Sequence, residues 1–127
     1  PYSEPHHVAL VPLIAPTSKD RIQKIAKDAQ GYVYVVSSLG VTGVRSNITT
    51  DIDGIVTEVR KATELPVAVG FGIATLEQAY KMAKASDGAI VGSAIEKIVE
   101  KYGNDSPKYV CEYVKSMAGA VAMAAMA

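Results

Sequence analysis

The sequence predicts an α/β fold with a parallel sheet, made of four strand–helix units and one further C-terminal helix. Short apolar runs alternate with segments whose apolar residues recur at helical spacing. The runs are continuously apolar, which is typical of parallel strands covered on both faces. An open doubly wound sheet and a closed (β/α)8 barrel both fit this pattern. A full barrel takes about 250 residues, so 127 residues would make about half of one.

The first unit begins with a strand over residues 8–14, an apolar run that stops before Pro16. Thr17 and Ser18 offer an N-cap for the helix that follows. The apolar face of this helix has the spacing i, i+3, i+4 and i+7, at Ile22, Ile25, Ala26 and Ala29. Gly31 is expected to stop it.

The second unit has its strand over residues 32–37, followed by a polar, glycine-containing loop over residues 38–50. The next helix buries a face made of Ile52, Ile55, Val56 and Val59. Asp51 and Asp53 precede or open this helix, where negative charge is favourable. We therefore assign these two carboxylates to the helix start and not to acid–base chemistry.

The third unit places a strand over residues 66–69, which ends at Gly70. Thr75 and Gln78 have the spacing of a capping box at the start of its helix.

The fourth unit places a strand over residues 89–91, and Ser93 with Glu96 has the spacing of another capping box. The last helix begins at Ser106, because Pro107 suits the first helical position.

Composition predicts a single domain over residues 1–127, with 49% apolar and 20% charged residues. The net charge is zero and no basic stripe occurs, so nucleic acid is not expected as a partner. The apolar tail over residues 117–127 is shorter than the roughly 20 residues that span a bilayer, so no membrane partner is expected. No signal peptide is visible, and a cytoplasmic location is expected.

Neither a metal nor a cofactor is expected on this chain. His6 and His7 are sequential and no third ligand follows at metal spacing. Cys111 is the single cysteine, which excludes an internal disulfide. It lies in a helical apolar pattern, where we expect it to be packed as a small apolar residue.

Two glycine-containing strand ends predict a phosphate site. Gly92 and Ser93 end a strand and open a helix, whose first N–H groups can hold a phosphate. Gly70, Phe71 and Gly72 end the preceding strand, and glycine lets a ligand approach the backbone. Taken singly, Ser93 could be only an N-cap and the glycines only a tight turn. Together they follow the last two strands, where barrels commonly bind phosphate.

The loop over residues 38–50 is a candidate lid, because Gly40 and Gly43 permit large backbone changes and Thr42 lies between them. A surface connection without function is the alternative. Tyr32 and Tyr34 share one side of their strand by period two. That side faces either the barrel interior or the helices.

These motifs resemble the tryptophan synthase alpha chain family in order and spacing. The matching segments are Ala15-Pro16-Thr17-Ser18, Gly31-Tyr32-Val33-Tyr34, Val36-Ser37, Gly40-Val41-Thr42-Gly43, Gly70-Phe71-Gly72-Ile73 and Gly92-Ser93-Ala94-Ile95. The resemblance implies strands five to eight of a (β/α)8 TIM barrel. It also implies retro-aldol cleavage of indole-3-glycerol phosphate to indole and glyceraldehyde 3-phosphate. Indole would pass to a beta chain, which carries pyridoxal phosphate.

Residue roles follow from the same resemblance. Tyr34 would line the substrate pocket, and Thr42 would touch a catalytic aspartate when the loop closes. The glycerol phosphate would be held by Gly43, Gly70, Phe71, Gly72, Gly92 and Ser93.

No catalytic residue is assigned on this chain, since the family's catalytic glutamate and aspartate belong to the first half of the barrel. We therefore expect the chain to be inactive alone. Two alternatives remain open at this point. One is another phosphosugar barrel enzyme, and the other is a non-catalytic half-barrel that binds phosphate and forms a homodimer to cover its sheet edges.

Overall fold

A four-stranded parallel sheet forms the centre of the molecule. The structure is a computed structural model that describes residues 3–37, 51–70 and 72–127. The strands are β1 (Leu13–Ile14), β2 (Val33–Val36), β3 (Val67–Gly70) and β4 (Gly88–Ile90). They are hydrogen-bonded in the order β1-β2-β3-β4, and every pair is parallel.

Five α-helices follow these strands in the described part of the chain. They are α1 (Ile22–Lys27), α2 (Ile52–Arg60), α3 (Leu76–Ala85), α4 (Ser93–Tyr102) and α5 (Ser106–Met126). Short 3-10 segments cover Glu4–His6, Pro16–Arg21 and Gly103–Asp105. The predicted sequence of four strand–helix units with an extra C-terminal helix is confirmed.

The first unit departs from the prediction at both of its elements. Its strand covers only Leu13–Ile14, because only these residues pair with β2. The helical segment begins with a 3-10 turn whose N-cap is Ala15, so the predicted cap at Thr17 or Ser18 is wrong. Pro16 fixes the first helical φ there. The Ser18 hydroxyl instead accepts a hydrogen bond from the Ala15 N–H at 3.2 Å.

Helix starts elsewhere follow the sequence signals in three of four cases. The Asp51 carboxylate accepts from the Gly54 N–H at 3.0 Å and caps α2. Thr75 and Gln78 form the predicted capping box of α3, and Pro107 lies in the first turn of α5. The capping box at Ser93 is wrong, because Gly92 occupies the N-cap and Ser93 is already helical.

The sheet is wound in one direction only. Doubly wound sheets reverse their strand order at a switch point, and no reversal occurs among these strands. Successive right-handed crossovers therefore place the connecting helices on one side. On that side the strands contribute fully buried residues to the main core, namely Ile14, Val33, Val35, Val67 and Val69. Helix residues of the same core include Ala26, Val56, Val59, Ala79 and Met82.

The opposite face of the sheet is only partly covered. Its two rows are Leu13, Tyr34, Ala68 and Gly88, then Val36, Gly70 and Ile90. Leu13 is 62% exposed, and Tyr34, Val36 and Ala68 are half-buried. The expectation that both faces are covered is therefore wrong for the described residues, because helices pack against one face alone.

Cys111 is exposed on α5, so the expectation that it is packed is wrong. The apolar face of α5 contacts the core through Met117 instead. Within residues 3–37, 51–70 and 72–127, no helix is long and apolar enough to cross a membrane.

Asp87 joins three elements at the amino-terminal end of the sheet. Its carboxylate accepts from the buried Val67 N–H at 2.8 Å and pairs with Arg60 of α2 at 3.2 Å. Its own N–H donates to the Val67 carbonyl at 2.8 Å. The side chain thus supplies an acceptor to the backbone of β3 just before β4 begins.

We expect Asp87→Ala to lower the free energy of unfolding by about 1–3 kcal/mol, because the Val67 N–H loses its acceptor. Arg60→Ala is the control, and it should cost less than about 1 kcal/mol because it removes only an exposed ion pair. Urea unfolding followed by circular dichroism measures both. Equal losses in the two variants would show that Asp87 stabilises the fold through the ion pair and not through the hydrogen bond to the Val67 N–H.

Candidate functional site

Parallel pairing brings the carboxyl ends of β2, β3 and β4 to the same end of the sheet. Val36, Gly70 and Ile90 lie side by side in the register, and the Ser37 N–H donates to the Gly70 carbonyl at 2.9 Å. The predicted site residues Tyr34, Gly70, Gly72, Gly92 and Ser93 all lie on these three strands or directly after them. The end of the sheet at which these three strands finish is therefore the candidate ligand site.

Tyr34 faces away from the helices. Its neighbours Val33 and Val35 are fully buried on the helix side, so period two directs Tyr34 to the open face. This settles the alternative in which the tyrosine packs between sheet and helices. Burial, with a smaller contribution from Tyr32, raises the pKa of the Tyr34 phenol above its ordinary value. The phenol is therefore protonated at neutral pH and can donate a hydrogen bond to a ligand.

The Tyr34 ring lies directly against the Gly70 backbone. A Cβ placed on Gly70 would overlap the hydroxyl oxygen, Cζ and Cε1 of this ring. Glycine is required at this position because the aromatic ring of the adjacent strand occupies the space of a side chain. The reason for this glycine is therefore the Tyr34 ring, and not the ligand approach or the tight turn that the sequence analysis considered. The ligand-binding role of Gly70 stays a prediction.

The turn after β3 is held by Gln78, which the sequence analysis selected only as a capping-box residue, and by Tyr113, which it did not select. Gly72 has φ +76°, a conformation that glycine adopts without strain. The Gln78 side-chain oxygen accepts from the Ala74 N–H at 2.9 Å and from the Thr75 N–H at 3.1 Å. The Tyr113 hydroxyl of α5 donates to the Ala74 carbonyl at 2.8 Å.

The sequence gives only part of the signal for the structural role of Tyr113. A tyrosine on the apolar face of a helix usually needs a partner for its hydroxyl. Burial also raises the pKa of Tyr113, which keeps the hydroxyl a donor. Its partner lies 39 residues away along the chain, so only the folded structure identifies it.

The start of α4 is where the sequence analysis predicts that an anion binds. Gly92 is the N-cap and has no side chain, and its carbonyl accepts from the Ile95 N–H at 2.8 Å. The first N–H groups of a helix have no acceptor within the helix and point outward along its axis. Ser93 follows immediately and is partly exposed, with a hydroxyl that can donate beside these N–H groups. A phosphate or carboxylate would be stabilised at this position.

Three predicted site residues lie outside the described residues. They are Thr42 and Gly43 of the candidate lid over residues 38–50, and Phe71, which follows Gly70 in the sequence. Their roles stay predictions.

Comparison with known proteins gives one family. Residues 1–126 match the family model described as tryptophan synthase alpha chain. The alpha chain of Lacticaseibacillus casei is 44% identical over 121 residues, which cover 95% of this chain and 46% of that protein. The alpha chain of Lactiplantibacillus plantarum is 55% identical over 100 residues, which cover 78% of this chain and 38% of that protein.

Solved structures agree with the sequence relatives. A tryptophan synthase structure from Mycobacterium tuberculosis superposes with a TM-score of 0.77 at 32% identity, covering 94% of this chain and 44% of that chain. The alpha subunit from Campylobacter jejuni superposes with a TM-score of 0.74 at 34% identity, covering 91% of this chain and 46% of that chain. The chain therefore spans less than half the length of these relatives, and its four-stranded sheet is half of a (β/α)8 barrel.

We expect Gly70→Ala to lower the free energy of unfolding by about 1–3 kcal/mol, because the new methyl group forces the Tyr34 ring to move. In a Tyr34→Ala background the same substitution should cost much less, and a double-mutant cycle measures this coupling.

Gly88→Ala is the matched control, since a Cβ there meets no atom within 4 Å. Both substitutions place a methyl group in a strand of the same sheet. If Gly70→Ala were no more costly than Gly88→Ala, the close contact with Tyr34 would be refuted.

Proposed function

Because this chain belongs to the tryptophan synthase alpha chain family, we propose that it supplies the phosphate-binding half of a lyase acting on indole-3-glycerol phosphate. The observation that carries the proposal is that Gly72, Gly92 and Ser93 follow the carboxyl ends of the adjacent strands β3 and β4. Membership in this family removes the alternative of a different phosphosugar barrel enzyme.

The proposed binding step uses the residues that the family resemblance assigns to the glycerol phosphate. The N–H groups at the start of α4 and the Ser93 hydroxyl would hold the phosphate dianion of the substrate. Gly72, Phe71 and Gly43 would let the backbone approach the same group closely. Tyr34 would present its neutral phenol to the part of the ligand that extends over the inner face of the sheet.

The reaction itself is a retro-aldol cleavage. A base removes the proton of the glycerol hydroxyl next to the indole ring, and the bond between the ring and that carbon breaks. The bonding electrons pass to the ring, whose carbon takes a proton from an acid. The products are indole and glyceraldehyde 3-phosphate, so atoms and charge balance. General acid–base assistance of this kind contributes about 10²–10⁴-fold in rate per group.

Neither the acid nor the base is assigned to this chain. We propose that both carboxylates belong to the other half of the barrel and that Thr42 positions the aspartate when the loop closes. The proposed partner is a tryptophan synthase beta chain, which would receive indole and carry the pyridoxal phosphate. A cytoplasmic location is part of the same proposal.

We expect the chain to bind glycerol 3-phosphate at the start of α4, with Ser93→Ala weakening binding about tenfold, since one hydrogen bond to a charged group is lost. Isothermal titration calorimetry with glycerol 3-phosphate measures this. Ser116→Ala is the control, because Ser116 is exposed on α5 and its hydroxyl donates to the Glu112 carbonyl of its own helix. Equal affinity in both variants would remove Ser93 from the phosphate site.

We also expect the purified chain to release no indole from indole-3-glycerol phosphate, because the acid and the base are missing. Indole fluorescence after incubation measures the activity. Indole formation that persists on repurification and is reduced by Ser93→Ala would overturn the assignment of the catalytic groups to the other barrel half.

A further inference from the structure

Tyr113 joins α5 to the backbone of the turn after β3. Its hydroxyl donates to the Ala74 carbonyl at 2.8 Å, across a separation of 39 residues along the chain. The start of α3 does not need this contact, because Thr75 and Gln78 already form its capping box. Tyr113 therefore adds a second, independent contact to a segment that lies at the candidate site.

The connection between β3 and α3 is short and is anchored at both ends. Gly70 is the sheet end, where its carbonyl accepts from the Ser37 N–H at 2.9 Å. Thr75 is the helix end, as the N-cap of α3. Four residues separate Gly70 from Thr75 in the sequence. A shift of Ala74 would therefore have to be taken up within these four residues, which include Gly72.

Ala74 is held through both of its backbone polar groups. Its N–H donates to the Gln78 side-chain oxygen at 2.9 Å, and its carbonyl accepts from Tyr113. The first contact ties the turn to α3, the next helix along the chain, and the second ties it to α5. Gly72, at φ +76°, lies two residues before this fixed point, and the buried Ile73 separates them.

Tyr113 also lies beside the second segment that the proposed function assigns to phosphate. α5 packs against α4 as well as against α3. Tyr113 lines one groove together with Val91 and Ile95, which flank Gly92 and Ser93 at the start of α4. One side chain of α5 is thus in place to fix the turn after β3 relative to the start of α4.

A purely structural role for Tyr113 is the alternative. Its ring would fill space against the core, and its hydroxyl would take the nearest acceptor. The choice of acceptor favours a role at the site, because the hydroxyl bonds to the same residue that Gln78 already holds. The two contacts act on opposite ends of one residue, which restricts its rotation more than either contact alone.

We propose that Tyr113 is a positioning residue of the phosphate site, whose hydroxyl holds the Gly72 turn in place relative to the start of α4. This rests on the proposed function, in which Gly72, Gly92 and Ser93 hold the phosphate. The hydroxyl does not touch the ligand. It orders the turn before the ligand arrives, so binding does not have to supply the entropy of ordering it.

Tyr113→Phe tests the proposal, because it keeps the ring and removes only the hydroxyl. We expect the dissociation constant for glycerol 3-phosphate to rise about three- to tenfold, since one hydrogen bond that orders the turn is lost. Isothermal titration calorimetry measures this constant. Tyr109→Phe is the matched control, one turn earlier on α5, where the ring stacks on Tyr102 at 3.7 Å between centroids. It should leave the constant unchanged.

A purely structural role predicts a different result for the same variant. Loss of stability would lower the midpoint of urea unfolding, but the affinity of the folded chain would stay the same. Circular dichroism under the titration conditions shows whether the variant is fully folded. An unchanged dissociation constant in folded Tyr113→Phe would refute the positioning role.

The backbone N–H signals of the site locate the effect. In the unsubstituted chain, glycerol 3-phosphate should shift the ¹⁵N–¹H signals of Gly72, Gly92 and Ser93. In Tyr113→Phe at saturation, the shift at Gly72 should shrink, whereas those at Gly92 and Ser93 should persist. An equal loss at all three residues would indicate general disruption and would also refute the positioning role.

The same titration distinguishes failure of this proposal from failure of the proposed function. Shifts at Gly72, Gly92 and Ser93 that are identical with and without the Tyr113 hydroxyl would overturn the positioning role alone and leave the phosphate site standing. Absence of any shift at these residues in the unsubstituted chain would overturn the phosphate site and the role of Tyr113 together.

Discussion

One row of parallel hydrogen-bonded residues determines where everything else in this molecule lies. Val35, Val69 and Ala89 are aligned with Ile14 across the four strands, and their side chains point to the helices. This row, together with Val33 and Val67, is packed under α1, α2 and α3. Because burial of this apolar surface is the main favourable contribution to folding, it fixes the register, and a shift by one residue would expose the whole set.

Fixing that register also fixes the opposite face. The residues between the buried ones, including Tyr34 and Gly70, must point away from the helices and toward the side where a ligand can enter. The close contact of the Tyr34 ring with the Gly70 backbone follows directly, since the two positions lie on adjacent strands. Stability and candidate function are therefore linked through one sheet, whose helix side stabilises the fold and whose other side carries the site.

Residues that are distant in the sequence hold the turn after β3 in place beside the candidate site. Its backbone is held by Gln78 from the next helix and by Tyr113 from the last one. α5 thus does more than cover the sheet, because it fixes the turn that precedes the candidate phosphate position. The same helix also presents the apolar surface that borders the open β4 edge.

The sequence by itself determined the strand–helix order, the capping box at Thr75 and the glycine strand ends, because these depend on neighbours within a few residues. It misjudged Ser93 as a cap and Cys111 as packed, since propensity does not tell which of two adjacent residues opens a helix or which side of α5 is covered. The family resemblance had already implied half of a (β/α)8 barrel, and the strand order confirms it. Only the tertiary structure decided that Tyr34 faces the open side and that Tyr113 reaches Ala74. Those facts depend on contacts between residues distant in the chain, which local patterns do not encode.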